Sequence, residues 1–478
     1  MSAEVRARFK PDLWPVISDQ EALRKRRATG VIVIALLLLA IAIRVNYVLP
    51  VLVSGVPLDG DALYRYHALA QNLVAGNGFT TDGAPPYQPN SFAQPGYPAF
   101  VALLYLLSGG SQKAVVLAQV ALELLTLFIV FKMCESLKLS RRVQLTSVAV
   151  GSMCPFLVSN STFLRTEMLA TFLITLTCWM LVSALGKEGQ PGRRCVFAGL
   201  AGGTSLLVRP DSLVAVIAMI LVAGIYLIRR DSWVRTGFAM GVFSIAMIAI
   251  LLPWTLRGFL VFGSFKPLGE VSSLTRLGYV RWLDTWIDNP KDARTYGGEW
   301  YKAVPVPREK TDDLEEWTRA SQAYGVASLR GFHDVEATET YLALAREAIH
   351  KRPFKTLIVV PLVRAAMTWA DMPFAGIGVP QRKPAIALTI LYWWLLTLLT
   401  ILGITRAPFL KDSPTGVLLA VLTGRLALPL ISSYGAEARY MLEALPVCFV
   451  FAAVAVHYLA SSAERIISLR RVRLATFD

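Results

Sequence analysis

The sequence predicts an all-α polytopic membrane protein, a bundle of about ten transmembrane helices, on three observations. Apolar runs of about 20 residues recur along the chain, the length a helix needs to cross a hydrocarbon core roughly 30 Å thick. Of the 478 residues, 55% are hydrophobic, and the mean hydropathy is +0.51. The runs lack the period-two alternation of barrel strands, and backbone groups cannot stay unpaired in lipid, so each crossing has to be helical.

Charge supports the same class. The formal net charge is +15, but the excess Lys and Arg sit in short segments between apolar runs, as the positive-inside rule requires, and nucleic acid is not an expected partner. The five cysteines, Cys134, Cys154, Cys178, Cys195 and Cys448, are scattered and form no Cys-x-x-Cys pair. They read as small apolar fillers rather than a disulfide framework or a zinc site.

Residues 1–28 form a cytoplasmic segment ending in Arg24-Lys25-Arg26-Arg27, too long and too charged for an ordinary cleaved signal peptide. The first span, about 29–49, therefore reads as a retained anchor. The first outer loop, 50–112, is rich in Pro and Gly and carries two short interfacial helices, 61–75 stopped by Gly76 and about 97–108 started by Pro98. Further spans are expected at 113–132, 143–160, 166–186, 195–208, 212–228 and 237–262, with basic returns at Lys132 to Arg142, Lys187 to Arg194 and Arg229 to Arg235. Residues 29–262 thus form the main transmembrane module.

Residues 263–352 turn polar and read as a small, mostly helical extracytoplasmic domain. Within 353–460, the apolar piece Phe354 to Trp369 is expected to lie in the interface, because a crossing there would put the basic tail, 461–478, outside, and because Arg364 sits at its centre. Spans at about 386–404, 416–433 and 438–460 complete the ten and leave both termini cytoplasmic. No internal repeat is visible.

Chemistry concentrates in a few places. Asp59 and Asp61 stand together at the water boundary, with Tyr64, Tyr66 and His67 behind them. Either Asp is able to serve only as an N-cap, but a carboxylate at that depth can also take a proton from an attacking hydroxyl while its neighbour holds substrate or an ion. His67 reads as a polar packing residue rather than a metal ligand, and no metal motif is present; two adjacent carboxylates can still hold a weak Mg²⁺ or Mn²⁺.

Four arginines fall at outer helix ends: Arg165 with Glu167, Arg209 before Pro210-Asp211, Arg257, and Arg439 beside Glu437 and Tyr440. One such arginine is as readily a snorkelling side chain, but four on the side poor in charge suit phosphate oxygens. Glu123 and Arg425 fall deeper and are expected to pair or to line one polar cavity; the alternatives are a buried pair that only holds helices in register, or an Arg425 that reaches a headgroup.

In this order the motifs resemble the GT-C glycosyltransferases, nearest to the bacterial relatives of protein O-mannosyltransferase and aminoarabinose transferase. The matching residues are Asp59-Gly60-Asp61, Tyr64-Arg65-Tyr66, Ala68 to Leu73, Gly76-Asn77-Gly78-Phe79, Gln94-Pro95-Gly96-Tyr97-Pro98, Arg165-Thr166-Glu167, Leu207-Val208-Arg209-Pro210, Pro253-Trp254-Thr255-Leu256-Arg257, and Glu437-Ala438-Arg439-Tyr440 with Leu445-Pro446. Gly258 stands where that family usually has Asn.

The resemblance implies a cofactor-independent enzyme of a bacterial inner membrane. It implies transfer of a sugar, with inversion, from a polyprenyl-phosphate carrier to an acceptor hydroxyl on a lipid, glycan or protein at the extracytoplasmic face. Asp61 is the implied base, with Asp59 second, and Arg439, Arg257, Arg165 and Arg209 are implied at the donor phosphate. Tyr64, His67, Glu167, Glu437 and Tyr440 are substrate-site candidates. The rival from another class is a transporter or flippase of a lipid-linked or anionic solute, with Glu123 and Arg425 as its midplane site; a third, a structural subunit of an envelope complex, would need no carboxylate at the site.

Overall fold

A computed structural model describes residues 19–56, 65–90, 93–186, 191–230, 232–263, 343, 346–347, 349–370, 383–406, 414–431 and 438–475. The described residues are helical, with no strand among them. The helices are α1 (Asp19–Ser54), α2 (Tyr66–Ala75), α3 (Gly96–Ser108), α4 (Gln112–Ser136), α5 (Arg141–Ser152), α6 (Pro155–Asn160), α7 (Glu167–Leu185), α8 (Pro191–Val208), α9 (Leu213–Arg230), α10 (Trp233–Phe262), α11 (Val360–Ala370), α12 (Lys383–Arg406), α13 (Gly416–Ile431) and α14 (Leu445–Ala475). Two 3-10 turns, Pro210–Ser212 and Ala438–Ala444, lead into α9 and α14, and a π turn, Lys355–Val359, leads into α11.

Six helices among the described residues are long and apolar enough to cross a membrane, and three shorter apolar helices accompany them. The multi-pass, all-helical class therefore holds, while the expected ten crossings are not reproduced as ten long helices. One difference has a local cause. The span expected at 143–160 is two helices, α5 and α6, because Cys154 is extended (φ −71°, ψ 110°) and Pro155 begins a new helix. Proline has no N–H to continue the ladder of α5, so the chain restarts at its ring.

The centre of the bundle is α7, whose side chains are almost all buried. It packs against α4, α8 and the Ala438–Ala444 turn, while α8 packs on α10, α9 on α13, and α12 and α5 on α14. The main core joins Ile174, Cys178 and Leu181 of α7 to Met133, Val216, Phe243, Val421, Phe449 and Phe451. All five cysteines are free and buried within it, as small apolar fillers would be. Leu221, Phe238, Ile245 and Leu398 stay exposed on outward faces, where a lipid environment would cover them.

The first outer loop builds a second, smaller core from Leu69, Ala70, Tyr97, Val101 and Tyr105, packed on Leu164, Leu169, Leu173 and Val208. Gly76 ends α2 at φ 79°, a left-handed conformation that glycine adopts without a Cβ penalty. Gly96 has a different role. A Cβ there would stand 2.8 Å from the Leu207 carbonyl carbon and oxygen, so only glycine lets α3 lie against the end of α8. The expected helix 97–108 appears as α3 and that of 61–75 as α2 from Tyr66 onward, entered by Arg65 at φ 52°, while residues 61–64 lie outside the described residues.

The apolar piece Phe354 to Trp369 falls on the π turn and α11. It packs against α13 and the Ala438–Ala444 turn, and Trp369 meets Trp393 of α12 at 4.6 Å between ring centres. Most of the expected 263–352 domain lies outside the described residues.

Candidate active site

Three chain reversals meet at one end of the bundle: the start of α7, the turn between α8 and α9, and the entry to α14. Each brings charge that folding would not bury unpaired. The Arg209 fork grips its near neighbour Asp211, Nε donating to Oδ1 at 3.1 Å and Nη2 to Oδ2 at 2.8 Å. The same guanidinium stands 3.2 Å from Glu167 Oε1 and 3.5 Å from Glu443 Oε1.

Arg425 approaches from α13. It ion-pairs Glu443, faces Asp211 Oδ2 at 3.3 Å, and donates to Ser212 Oγ at 3.3 Å. Ser212 in turn donates to Glu443 Oε2 at 3.0 Å. Arg439 closes the outer side, 3.4 Å from the Glu167 oxygen that also faces Arg209. The Tyr440 ring lies between the two arginines, with the Arg209 guanidinium 4.8 Å and that of Arg439 5.7 Å from its centre.

Exposure orders this cluster from inside to outside. The Arg425 and Glu443 side chains are 0% and 2% exposed, whereas Arg439 keeps 25%. Arg165, two residues before Glu167, stacks on Phe163 and adds its charge near Glu167. Glu167 Oε2 is buried, with no hydrogen-bond partner among the described residues. Gln119 of α4 braces the approach to Arg165: its amide donates to the carbonyls of Ser161 and Phe163, both at 2.8 Å, while its oxygen accepts the Tyr97 hydroxyl at 2.9 Å.

Arg257 occupies another place. It lies over Trp254, Phe79 and Phe262, 4.5 to 5.4 Å from their ring centres, and Nη2 donates to the Asn90 carbonyl at 3.3 Å. Phe79 also meets Trp254 edge-on at 4.9 Å. The first loop thus touches Arg257 through Phe79 and Asn90 and, through Gly96, the residues just before Arg209. Asn72 shapes its beginning, donating to the carbonyls of Thr80 and Asp82 at 2.9 and 3.0 Å.

Of the residues singled out in the sequence, Glu167, Arg209, Arg425, Arg439 and Tyr440 come together, with Arg165 beside them. His67 is a packing residue whose Nδ1 is 2.7 Å from the Tyr105 hydroxyl. Asp59, Asp61, Tyr64 and Glu437 lie outside the described residues.

One expectation is corrected. Glu123 and Arg425 do not pair: Glu123 binds Arg44 of α1 at 2.6 Å, and Arg425 turns to Asp211 and Glu443. Helix α13 carries its arginine against the 210–212 turn, while α1 lays its own against α4. Sequence reasoning missed Glu443 and Arg44, and took Asp211 only as a neighbour of Arg209. The available signal was their position: each of the first two interrupts an apolar run, where an ionisable group needs a partner.

Residues 88–255 match the family model described as dolichyl-phosphate-mannose-protein mannosyltransferase. No curated protein matches. Among solved structures, the chain is similar to ArnT from Cupriavidus metallidurans bound to undecaprenyl phosphate, at 15% identity over 91% of this chain and 80% of that one, with a TM-score of 0.41. The apo form of the same protein gives 15% identity over 90% and 78%, with a TM-score of 0.39. The family match covers residues 88–255, about a third of the chain, and the motifs that resemble those of GT-C glycosyltransferases lie within it and on either side of it.

Proposed function

We propose that this protein moves a sugar from a polyprenyl-phosphate donor to an acceptor hydroxyl, with inversion at the anomeric carbon, on the extracytoplasmic face of a bacterial inner membrane. The observation that carries the reading is the gathering of arginines at one end of the bundle. Four guanidinium groups, Arg165, Arg209, Arg425 and Arg439, face three carboxylates, Glu167, Asp211 and Glu443. The cluster gathers its cations toward its outer end, where Arg439 keeps 25% of its surface exposed while Arg425 is sealed, an arrangement that suits a phosphodiester anion.

The chemistry needs little more. A sugar on a phosphate already has a leaving group that departs as a stabilised anion, so the protein has to supply a base for the attacking hydroxyl and cations for the departing phosphate. Asp61, with Asp59 second, is the proposed base. Arg439 is the proposed phosphate ligand at the cluster, Arg209 contributes from behind Glu167, and Arg257 is proposed to reach the phosphate from its separate place on Phe79 and Trp254. The orphaned Glu167 Oε2 offers an acceptor to a sugar hydroxyl. No cofactor is required in this scheme; a weakly held Mg²⁺ or Mn²⁺ at Asp59 and Asp61 would show as activity lost to chelation.

The transporter reading placed its site on a Glu123–Arg425 pair, and Glu123 is paired with Arg44 instead. Purified protein in lipid nanodiscs, given polyprenyl-phosphate-linked sugars and candidate lipid, glycan and protein acceptors, tests the proposal. Asp61→Asn is expected to fold and to lose transfer, and Arg439→Ala to weaken binding of a polyprenyl-phosphate analogue. Wild-type transfer rates in both Asp61→Asn and Asp59→Asn would remove the base assignment, and unchanged analogue affinity in Arg439→Ala would remove the phosphate role.

A further inference from the structure

Asp211 and Glu443 each face both Arg209 and Arg425, so the four side chains form a closed ring of two anions and two cations. Ser212 is its neutral clasp, accepting from Arg425 and donating to Glu443. The ring joins the α8–α9 turn, α13 and the entry to α14. Its inner members are sealed: Arg425 and Glu443 are 0% and 2% exposed, too deep to touch a substrate at the outer rim.

Taking the donor-phosphate reading as given, we infer that Arg425 and Glu443 are positioning residues that fix Arg209 and, through the shared Glu167 oxygen, aim Arg439 at the phosphate. The linkage runs atom to atom. Arg209 has one edge locked on Asp211, stands beside Glu443, and has Nη1 left to meet Glu167 Oε1 at 3.2 Å. That oxygen is also the partner of Arg439 Nη1 at 3.4 Å. A guanidinium held on a planar fork keeps one direction, which a lysine at the same place would not.

A ring that served only to hold helices in register would have an apolar substitute, since a buried pair replaced by hydrophobic side chains of similar volume often folds as well or better. This difference supplies the test. Full-length protein in nanodiscs is compared as wild type, Arg425→Met, Glu443→Met and the double variant, measuring melting temperature, donor and acceptor kinetics, and affinity for polyprenyl phosphate alone.

Each single variant leaves the buried ring with one charge in excess and is expected to melt well below wild type. The double variant is expected to melt within a few degrees of wild type but to lose about tenfold in donor kcat/KM, with a matching loss of polyprenyl-phosphate affinity and an unchanged acceptor KM. A double variant with wild-type donor kinetics and affinity overturns the inference. Should it fail to fold, Ser212→Ala decides: removing the clasp without changing charge is expected to lower the melting temperature by only a few degrees and to raise donor KM about threefold at unchanged kcat, and an unchanged donor KM overturns the inference. Wild-type protein inactive with every polyprenyl-phosphate sugar would instead strike the proposed function, leaving the two failures distinct.

Discussion

Glu123 of α4 and Arg44 of α1 close an ion pair at 2.6 Å, with the glutamate fully buried and the arginine nearly so. Arg44 does more than neutralise it. Its Nη1 donates to the Ser152 carbonyl at 3.1 Å and to the Ala40 carbonyl at 2.9 Å. Ser152 is the last residue of α5, where carbonyls have no partner within their own helix. One guanidinium thus satisfies the end of α5, at the break before Pro155, and ties α1 to α4.

Removing one member of this pair is therefore expected to cost far more than removing both. Arg44→Met strands a carboxylate in the interior and should destabilise by about 3–5 kcal/mol. The double variant Arg44→Met/Glu123→Met should recover most of that loss, less the Ser152 carbonyl bond, worth about 1 kcal/mol. Thermal melts of the three proteins in one detergent check this; a single variant as stable as wild type would contradict it.

Gln119 offers a second test, because three partners converge on it. Gln119→Leu keeps the approximate volume but leaves the Tyr97 hydroxyl and the carbonyls of Ser161 and Phe163 without their amide partner. Each stranded group costs about 1–3 kcal/mol when water cannot reach it. The expected result is faster hydrogen exchange confined to α3 and residues 161–166, with reduced transfer activity, while α12 and α14 exchange as in wild type.

Much of this architecture is legible in the sequence because its signals are local. The run of apolar residues in α4, the stop at Gly76 and the start of α3 near Pro98 need no information from elsewhere in the chain. The reversals that carry Arg165, Arg209 and Arg439 were visible too, as charges at the ends of apolar runs. What escaped were partners chosen by packing. Glu123 has two distant arginines available to a reader of the sequence, and only the lie of α1 against α4 and of α13 against the 210–212 turn settles which one it takes. Glu443 escaped because it sits four residues past Arg439 in a stretch read as the start of a span. The break at Cys154-Pro155 was local, but an apolar run long enough to cross concealed it.

Gly96 should tolerate no side chain. A methyl group there would stand 2.8 Å from Val208 Cγ2 and from backbone atoms of Leu207, which cannot rotate away. Overpacking of this kind costs about 1–3 kcal/mol, but its sharper effect falls on the site, since Val208 precedes Arg209. Gly96→Ala is expected to lower donor kcat/KM by more than the change in folded fraction explains. Gly83→Ala, where nothing lies within 4 Å of the added carbon, is the control and should match wild type in both.

His67 gives the first outer loop a pH dependence whose sign follows from its surroundings. Burial holds its pKa below the ordinary 6.5, so the folded protein keeps the ring neutral where the unfolded chain would already be protonated. A neutral ring can accept the Tyr105 hydroxyl at Nδ1, 2.7 Å away, and a protonated ring cannot. The stability from this contact is fully present above pH 6.5 and is lost progressively as pH falls below 6.5 and through the folded value, because there the unfolded state binds more protons. Hydrogen exchange of α2 and α3, corrected for the intrinsic pH dependence of exchange, should therefore show less protection at pH 5 than at pH 7.5. His67→Gln should flatten that difference, and a slope that persists in the variant would place the titrating group elsewhere.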